Sequence, residues 1–338
     1  MSQKGKLNGS NTCELPIDRL LARLYNMCVL RNLQQFQSTR RPMPTEIKPF
    51  VESNDVLDQP DRLRDRAKRD GYLFFRNLID PDTIFQLRRD FLEICDKHGW
   101  IKAGTDLMDG IRNGGPYREG QDEYWPILDD FQSLESFHAF AHYPSIIDVC
   151  DKLFGEPTLA HPRNIGRIMF PENTRYTTPA HQDYIHIQGT EETYTAWIPL
   201  GDCPQYFGGL TVLAGSHKFS VLPTIRADGA GGLGVETDHL NLEWVSADYQ
   251  IGDFLLFQSL AVHKALPNQT TDRLRLSVDY RYQGQSQPIT EGSLLPHFNR
   301  MSWEEIYRDW KSEKYQYYWK DLDLNCVPFT RKYHAAKD

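Results

Sequence analysis

The chain lacks what would tie it to nucleic acid, to a membrane or to an oxidising compartment. Its formal net charge is −8, and no segment gathers Lys and Arg into a strong basic face. Phosphate backbones are held by concentrated positive charge, so a generic nucleic-acid binder is not expected, and the negative balance mainly favours solubility. No apolar run approaches the ~20 residues that a membrane helix requires. The opening stretch, MSQKGKLNGS, is polar and carries no signal-peptide core. The six cysteines, Cys13, Cys28, Cys95, Cys150, Cys203 and Cys326, are scattered with no C-x-x-C. Neither a structural zinc nor a disulfide framework fits that spacing, so a reducing compartment is the default and the cytoplasm the expected location. Internal repeats and low-complexity tracts are absent too.

What the chain does have is strand-forming aromatic character. Seventeen Tyr and seventeen Phe suit half-buried pleated surfaces. Near the start, Leu20, Leu21, Leu24, Met27, Cys28 and Leu30 recur at helical spacing, which predicts a helix between Leu15 and Gln37. Residues 1–50 then read as a helical extension that ends in a linker over Arg40–Pro49. Residues 51–338 read as one domain. Gly71-Tyr72-Leu73-Phe74-Phe75 predicts a strand, and Asp80-Pro81-Asp82 starts an amphipathic helix through Ile84, Leu87, Phe91, Leu92 and Ile94. Residues 105–133 have weak periodicity and predict a long loop, and within it residues 105–125 are a candidate lid in which Arg112, Asn113, Tyr117 and Arg118 bind an anionic or polar substrate.

From about 158 to 285 the pattern is one of short strands: Ile165–Phe170, His181–Gln188, Tyr194–Leu200, Leu210–Leu213, Phe254–Phe257 and Leu274–Tyr282. Turn signals such as Gly208-Gly209, Gly215-Ser216 and Gly252-Asp253 separate several of them. Strands without intervening helices predict a mainly β fold with flanking helices, a jelly roll and not an α/β sheet. The Trp- and Tyr-rich tail predicts a helix around Trp303–Trp319. The two terminal helices are where a homodimer contact would be sought.

The chemistry centres on His181-Gln182-Asp183. On a strand, residues two apart share a face, so one short segment would offer an imidazole nitrogen and a carboxylate oxygen to the same ion. A third ligand must come from elsewhere, and His263 follows an apolar strand that opens at Gly252-Asp253. Two imidazoles and one carboxylate form the donor set of a mononuclear non-haem Fe(II) site with open positions. H-x-D alone arises easily by chance, and an isolated one is more often a satisfied core or surface pair.

Arg275 stands twelve residues after His263. Alternation puts Leu274, Leu276, Val278, Tyr280 and Tyr282 on one face, and Arg273, Arg275, Ser277, Asp279 and Arg281 on the other. If that polar face looks inward, a guanidinium there grips the distal carboxylate of 2-oxoglutarate through two parallel hydrogen bonds, with the Ser277 hydroxyl beside it. Periodicity alone does not choose between Arg273 and Arg275; the Arg-x-Ser triplet favours Arg275.

Taken in order, His181-Gln182-Asp183, Ala196-Trp197-Ile198-Pro199-Leu200, Gly208-Gly209-Leu210, Gly215-Ser216-His217-Lys218, Gly252-Asp253 before His263, and Pro267-Asn268 resemble the phytanoyl-CoA dioxygenase family of Fe(II)/2-oxoglutarate oxygenases. The resemblance runs from Gly71 to about Gln283. It implies a double-stranded β-helix, Fe(II) on His181, Asp183 and His263, 2-oxoglutarate on Arg275, and Trp197 beside the cosubstrate. It implies that O2 is consumed and that 2-oxoglutarate is decarboxylated to succinate and CO2 while an unactivated C–H bond is oxidised. Related halogenases replace the acidic ligand by a small residue, so Asp183 favours hydroxylation; desaturation and ring closure stay open.

The expected substrate is a small molecule. Tyr184, His186, Gln188, Arg167 and Met169 are candidates to face it, each more often structural than in contact. Two rival classes share part of the pattern. A cupin-like metal hydrolase or isomerase would keep the His/Asp/His set but has no need of an arginine for 2-oxoglutarate. A non-catalytic binding protein would keep the barrel without turnover.

Overall fold

Proline and glycine punctuate the first half of the domain. After a two-residue strand, β1 (Lys48–Pro49), helix α1 (Pro60–Asp70) opens on a proline and stops at Gly71, whose φ of 79° is the left-handed cap that only glycine adopts without strain. Strand β2 (Tyr72–Phe75) follows. Helix α2 (Pro81–Lys97) is capped by the Asp80 carboxylate, which accepts from the Asp82 N–H at 3.0 Å. Helices α3 (Trp125–Gln132), α4 (Glu135–Phe140) and α5 (Pro144–Phe154) complete this half. The computed structural model describes residues 47–172 and 174–334; the helix expected over Leu15–Gln37 lies outside them. The described residues belong to one compact unit.

The strands then come in quick succession: β3 (Thr158–Ala160), β4 (Ile165–Met169), β5 (Tyr194–Pro199), β6 (Leu210–Leu213), β7 (Thr224–Arg226), β8 (Leu233–Val235), β9 (Trp244–Ser246), β10 (Phe254–Gln258), β11 (His263–Ala265), β12 (Arg275–Gly284), β13 (Ile289–Thr290) and β14 (Cys326–Val327). The larger sheet has the order β2-β10-β5-β12-β3, with β4 also on β12; the smaller runs β1-β9-β6-β11. Phe74, Trp197, Leu255 and Phe257 of the first pack against Leu210, Val212 and Val245 of the second. This is the double-stranded β-helix, two sheets packed face to face.

The outer face of the large sheet carries Leu276, Val278, Tyr280 and Tyr282, buried against Phe91, Phe131 and Phe137 of the helices. All ten residues of β12 are buried, so its polar face is not a solvated edge. It looks between the sheets. Phe91 and Phe131 stack at 4.0 Å directly over Gly166, where an added Cβ would lie 2.8 Å from one ring and 3.2 Å from the other. Gly166→Ala is therefore expected to destabilise the domain by about 1–3 kcal/mol through overpacking, measurable by denaturant unfolding.

Four expectations change. His181–Gln188 is not a strand: His181 makes one bridge to His263, and Asp183, at φ −62° and ψ −31°, leads into a short helix, α6 (Tyr184–Ile187). The ladder ends because later N–H groups find other partners, Tyr184 on the Ser259 carbonyl and Ile187 on that of Asp183. The buried Gln182 side-chain amide donates from Nε2 to the Ser220 and Leu260 carbonyls and so holds the turn. The tail is helical only over α7 (Trp303–Tyr307). Beyond it, Trp310 donates to the Ser133 carbonyl and Tyr318 to that of Ala160, so aromatic anchors hold turns where a backbone ladder was expected. Residues 125–132 of the expected long loop are α3. Lys48–Pro49, read as linker, pairs in parallel with β9. Among the described residues no helix is long and apolar enough to cross a membrane.

Candidate metal centre

The backbone places the two imidazoles first. His181 and His263 exchange both N–H···O bonds at 3.0 Å, as a hydrogen-bonded antiparallel pair, so their side chains leave the same face with ring centroids 4.2 Å apart. Each ring uses Nδ1 on a backbone carbonyl two residues back: Pro179 at 2.8 Å for His181, Ala261 at 3.0 Å for His263. A neutral imidazole that donates from Nδ1 keeps a lone pair on Nε2. Both Nε2 atoms face Asp183 Oδ1, at 3.6 and 3.9 Å. Those separations are too long for hydrogen bonds.

The donor atoms of the three buried side chains lie within 4.8 Å of one another. The other carboxylate oxygen, Oδ2, accepts from the Thr195 hydroxyl at 2.7 Å and lies 3.6 Å from Arg281 Nε. Burial opposes ionisation of Asp183, but Arg281 and the two imidazoles outweigh it and hold the carboxyl well below the usual range. Burial and the neighbouring His181 push His263 down to about 3. The centre thus presents an ionised Asp183 carboxylate and a neutral His263 imidazole beside His181, and a cation takes such ligands in their deprotonated forms.

Arg275 is 3% exposed and forms no ion pair among the described residues. Its Nη1 donates to the Ser277 hydroxyl at 2.5 Å, its Nη2 reaches the Met169 sulfur at 3.5 Å, and Nε has no partner. The guanidinium stands 5.7 Å from the Trp197 ring centre. Arg273 is exposed outside the start of β12 and lines a separate surface groove with Arg88. The pleat expected to carry both arginines inward begins only at Arg275.

Residues 67–276 match the model of the phytanoyl-CoA dioxygenase (PhyH) family. The chain belongs to the phytanoyl-CoA dioxygenase family. It is an Fe(II)/2-oxoglutarate-type oxygenase. Among curated proteins it is similar to the 1-deoxypentalenic acid 11-beta-hydroxylase of Streptomyces arenae, 24% identical over 79% of this chain and 94% of the relative. It is also similar to the peroxisomal phytanoyl-CoA dioxygenase of Homo sapiens, 24% identical over 70% of this chain and 68% of the relative. Among solved structures it is similar to the carbocyclase SnoK from nogalamycin biosynthesis, 18% identical, TM-score 0.48, covering 71% of this chain and 88% of that one.

The donor set fits the family's Fe(II), since two imidazoles and a carboxylate suit that ion. A buried arginine with no carboxylate partner among the described residues, beside a serine hydroxyl, fits the family's 2-oxoglutarate. Around this PhyH centre the other candidates divide. Arg167 and His186 border the cavity next to His181 and Asp183, and Met169, Tyr117 and Arg118 border the larger opening toward Arg275. Gln188 instead bonds the backbone of Thr330, Asn113 that of Gly99, and Arg112 pairs with Glu172. Tyr184 packs against Tyr333.

Sequence reading missed Thr195 and left Arg281 without a role. Alternation back from Trp197 along β5 would have found the first, since Thr195 pairs with Arg281 across the sheet and both sides of that pair face Asp183. Outer partners of this kind orient a ligand and tune its basicity. Thr195→Val is expected to weaken Fe(II) binding about 10–100-fold, read by metal titration, with little change in fold.

Proposed function

We propose that the protein oxidises, most simply by hydroxylation, an unactivated C–H bond of a small-molecule substrate. One observation carries the reading: a buried His181/Asp183/His263 donor triangle shares the space between the sheets with Arg275, a buried guanidinium that no carboxylate of the described residues answers. A metal hydrolase on the same scaffold has no use for that arginine.

In this reading His181 and His263 hold Fe(II) through Nε2 and Asp183 holds it through Oδ1. Arg275 takes the distal carboxylate of 2-oxoglutarate, and Ser277, whose oxygen already accepts from Arg275, donates its own proton to the same carboxylate. Trp197 covers the cosubstrate's flank. When bound, iron with 2-oxoglutarate supplies the activation of O2, coupled to decarboxylation to succinate and CO2. The chain's part is geometry. The Pro179 and Ala261 carbonyls fix both imidazole tautomers, and the Thr195 hydroxyl donates to Oδ2, with Arg281 Nε 3.6 Å away, so that Oδ1 stays turned toward the imidazoles. The burial of all these groups keeps bulk water from the reacting atoms.

The test is succinate formation from 2-oxoglutarate by protein loaded anaerobically with Fe(II) and then exposed to O2. Slow turnover without substrate is the expected result. No turnover, together with no 2-oxoglutarate binding to the metal-loaded protein, would sink the proposal.

A further inference from the structure

The cavity that opens beside His181 and Asp183 has a volume of about 220 Å3, and its wall carries more arginine than its carboxylates neutralise. Arg281 projects into it from β12, 5% exposed. It makes no side-chain hydrogen bond among the described residues, and its Nε is unpartnered. The carboxylate next to it is Asp183, which the proposed function assigns to iron. Arg163, just ahead of β4, gives its Nε to the Leu295 carbonyl at 3.2 Å and forms no ion pair among the described residues. Arg167 differs, with Asp279 as its own carboxylate. His297 reaches the same cavity from the tail with Nε2 buried and unpartnered. Burial and the three surrounding arginines push it well below the ordinary histidine range, so it is neutral there.

The charge balance has one sign left over. The double charges of iron and 2-oxoglutarate offset each other. Against Arg163, Arg167, Arg275 and Arg281 stand Asp183, Asp279 and Glu119, and burial raises the pKa of Glu119, which weakens its hold on a negative charge. At least one enclosed guanidinium is therefore unanswered. A buried charge without a partner is among the least favourable arrangements in a protein interior, and a guanidinium recognises planar or tetrahedral oxyanions well.

We infer that this cavity takes an anionic group of the substrate, a carboxylate or a phosphate or sulfate ester, held by Arg281 and Arg163 with His297 beside them. The inference rests on the oxygenase reading, because it makes the cavity the substrate side of that same centre. It also limits where oxidation falls. Arg281 Nε is 3.6 Å from a carboxylate oxygen of Asp183, so the oxidised carbon lies only a few bonds from the anionic group. Phe298, exposed at the mouth on a left-handed backbone with φ 58°, offers an apolar contact for the rest of the molecule.

Isothermal titration calorimetry on anaerobic protein loaded with Fe(II) and 2-oxoglutarate tests this with matched probes: octanoate against octanamide, and octyl phosphate against octanol. Each acid is expected to bind about tenfold or more tightly than its neutral partner. Arg281→Gln and Arg163→Gln are each expected to remove most of that preference, and Arg281→Lys to restore part of it. Arg163 is half-buried, so its variant serves if Arg281→Gln does not fold. The ranking of octanoate against octyl phosphate separates the two anion sources. Equal affinities for acids and neutral partners, or no binding of any of the four, overturn the inference. Titration of 2-oxoglutarate into the Fe(II)-loaded protein comes first: binding there with no acid preference sinks this inference alone, and no binding sinks the oxygenase reading and takes this inference with it.

Discussion

Asp183→Ala is expected to lower Fe(II)-dependent succinate formation by about a thousandfold or more, a larger loss than the 10–100-fold typical of partners that only orient a metal ligand. The size follows from what Asp183 does in the proposed centre. It is the one carboxylate facing both imidazole Nε2 atoms, at 3.6 and 3.9 Å, and it supplies the negative charge that offsets part of the cation. Its removal also leaves Arg281 buried without its carboxylate neighbour. Some loss of stability is therefore expected alongside the loss of activity. Asp183→Asn separates the two effects. The amide keeps the side-chain volume and an oxygen for the Thr195 hydroxyl, so folding should be close to native while succinate formation stays lost. An Asn variant that retains Fe(II) affinity and turnover near the native level would remove Asp183 from the centre.

Arg275→Met should do two things that normally do not go together. The affinity for 2-oxoglutarate is expected to fall at least about tenfold, since one or two charge-assisted hydrogen bonds to a carboxylate are lost at roughly 1.5–3 kcal/mol each. The metal-free protein without cosubstrate should become more stable, by about 1–4 kcal/mol. Replacing a buried charge by an apolar side chain of similar volume is often stabilising, and here there is no ion pair to forfeit. A guanidinium held between the sheets with an unpartnered Nε is poised for a ligand at the expense of stability. The two readouts are the 2-oxoglutarate requirement for succinate formation and the denaturant midpoint of the metal-free protein. If Arg273→Met raised the 2-oxoglutarate requirement and Arg275→Met did not, the anchor would be the other arginine. If Arg275→Met destabilised the metal-free protein, the guanidinium would have a packing role that its sparse contacts do not show.

How much of this was legible in the chain varies from residue to residue. The order His181, Asp183, His263, Arg275 follows directly from residue types and spacing, and the structure gathers the first three within 4.8 Å. The reason offered for the H-x-D pair did not survive, however. Asp183 meets His181 through a turn into α6 and not through the period-2 geometry of a strand. Ligand chemistry tolerates either backbone, which is why the three side chains still meet although the local structure is not the expected strand. The polar face of β12 shows the converse. Alternation identified Arg275, Ser277, Asp279 and Arg281 as one face, but the same pattern describes an exposed edge strand. Only the pairing of β12 with β5 on one side and β3 and β4 on the other makes it interior. The tail failed for a related reason. Its Trp and Tyr residues have helical spacing, yet their N–H and O–H groups bond carbonyls of Ser133 and Ala160, far away in the chain.

By itself, then, the sequence determined the fold class and, through the resemblance of its ordered motifs, the family, because strand alternation, turn glycines and motif order are local and read along the chain. Tertiary structure decided what depends on distant segments meeting. It buried Arg275 and left Arg273 exposed, by where the pleat of β12 begins. It brought Thr195 and Arg281 to the far oxygen of Asp183, and it carried His297 and Arg163 from separate segments to one cavity. Alternation gives the face on which Thr195 and Arg281 sit, but not which distant side chain that face meets. Each such meeting is set by sheet register and chain path, which are long-range properties that no window of sequence encodes.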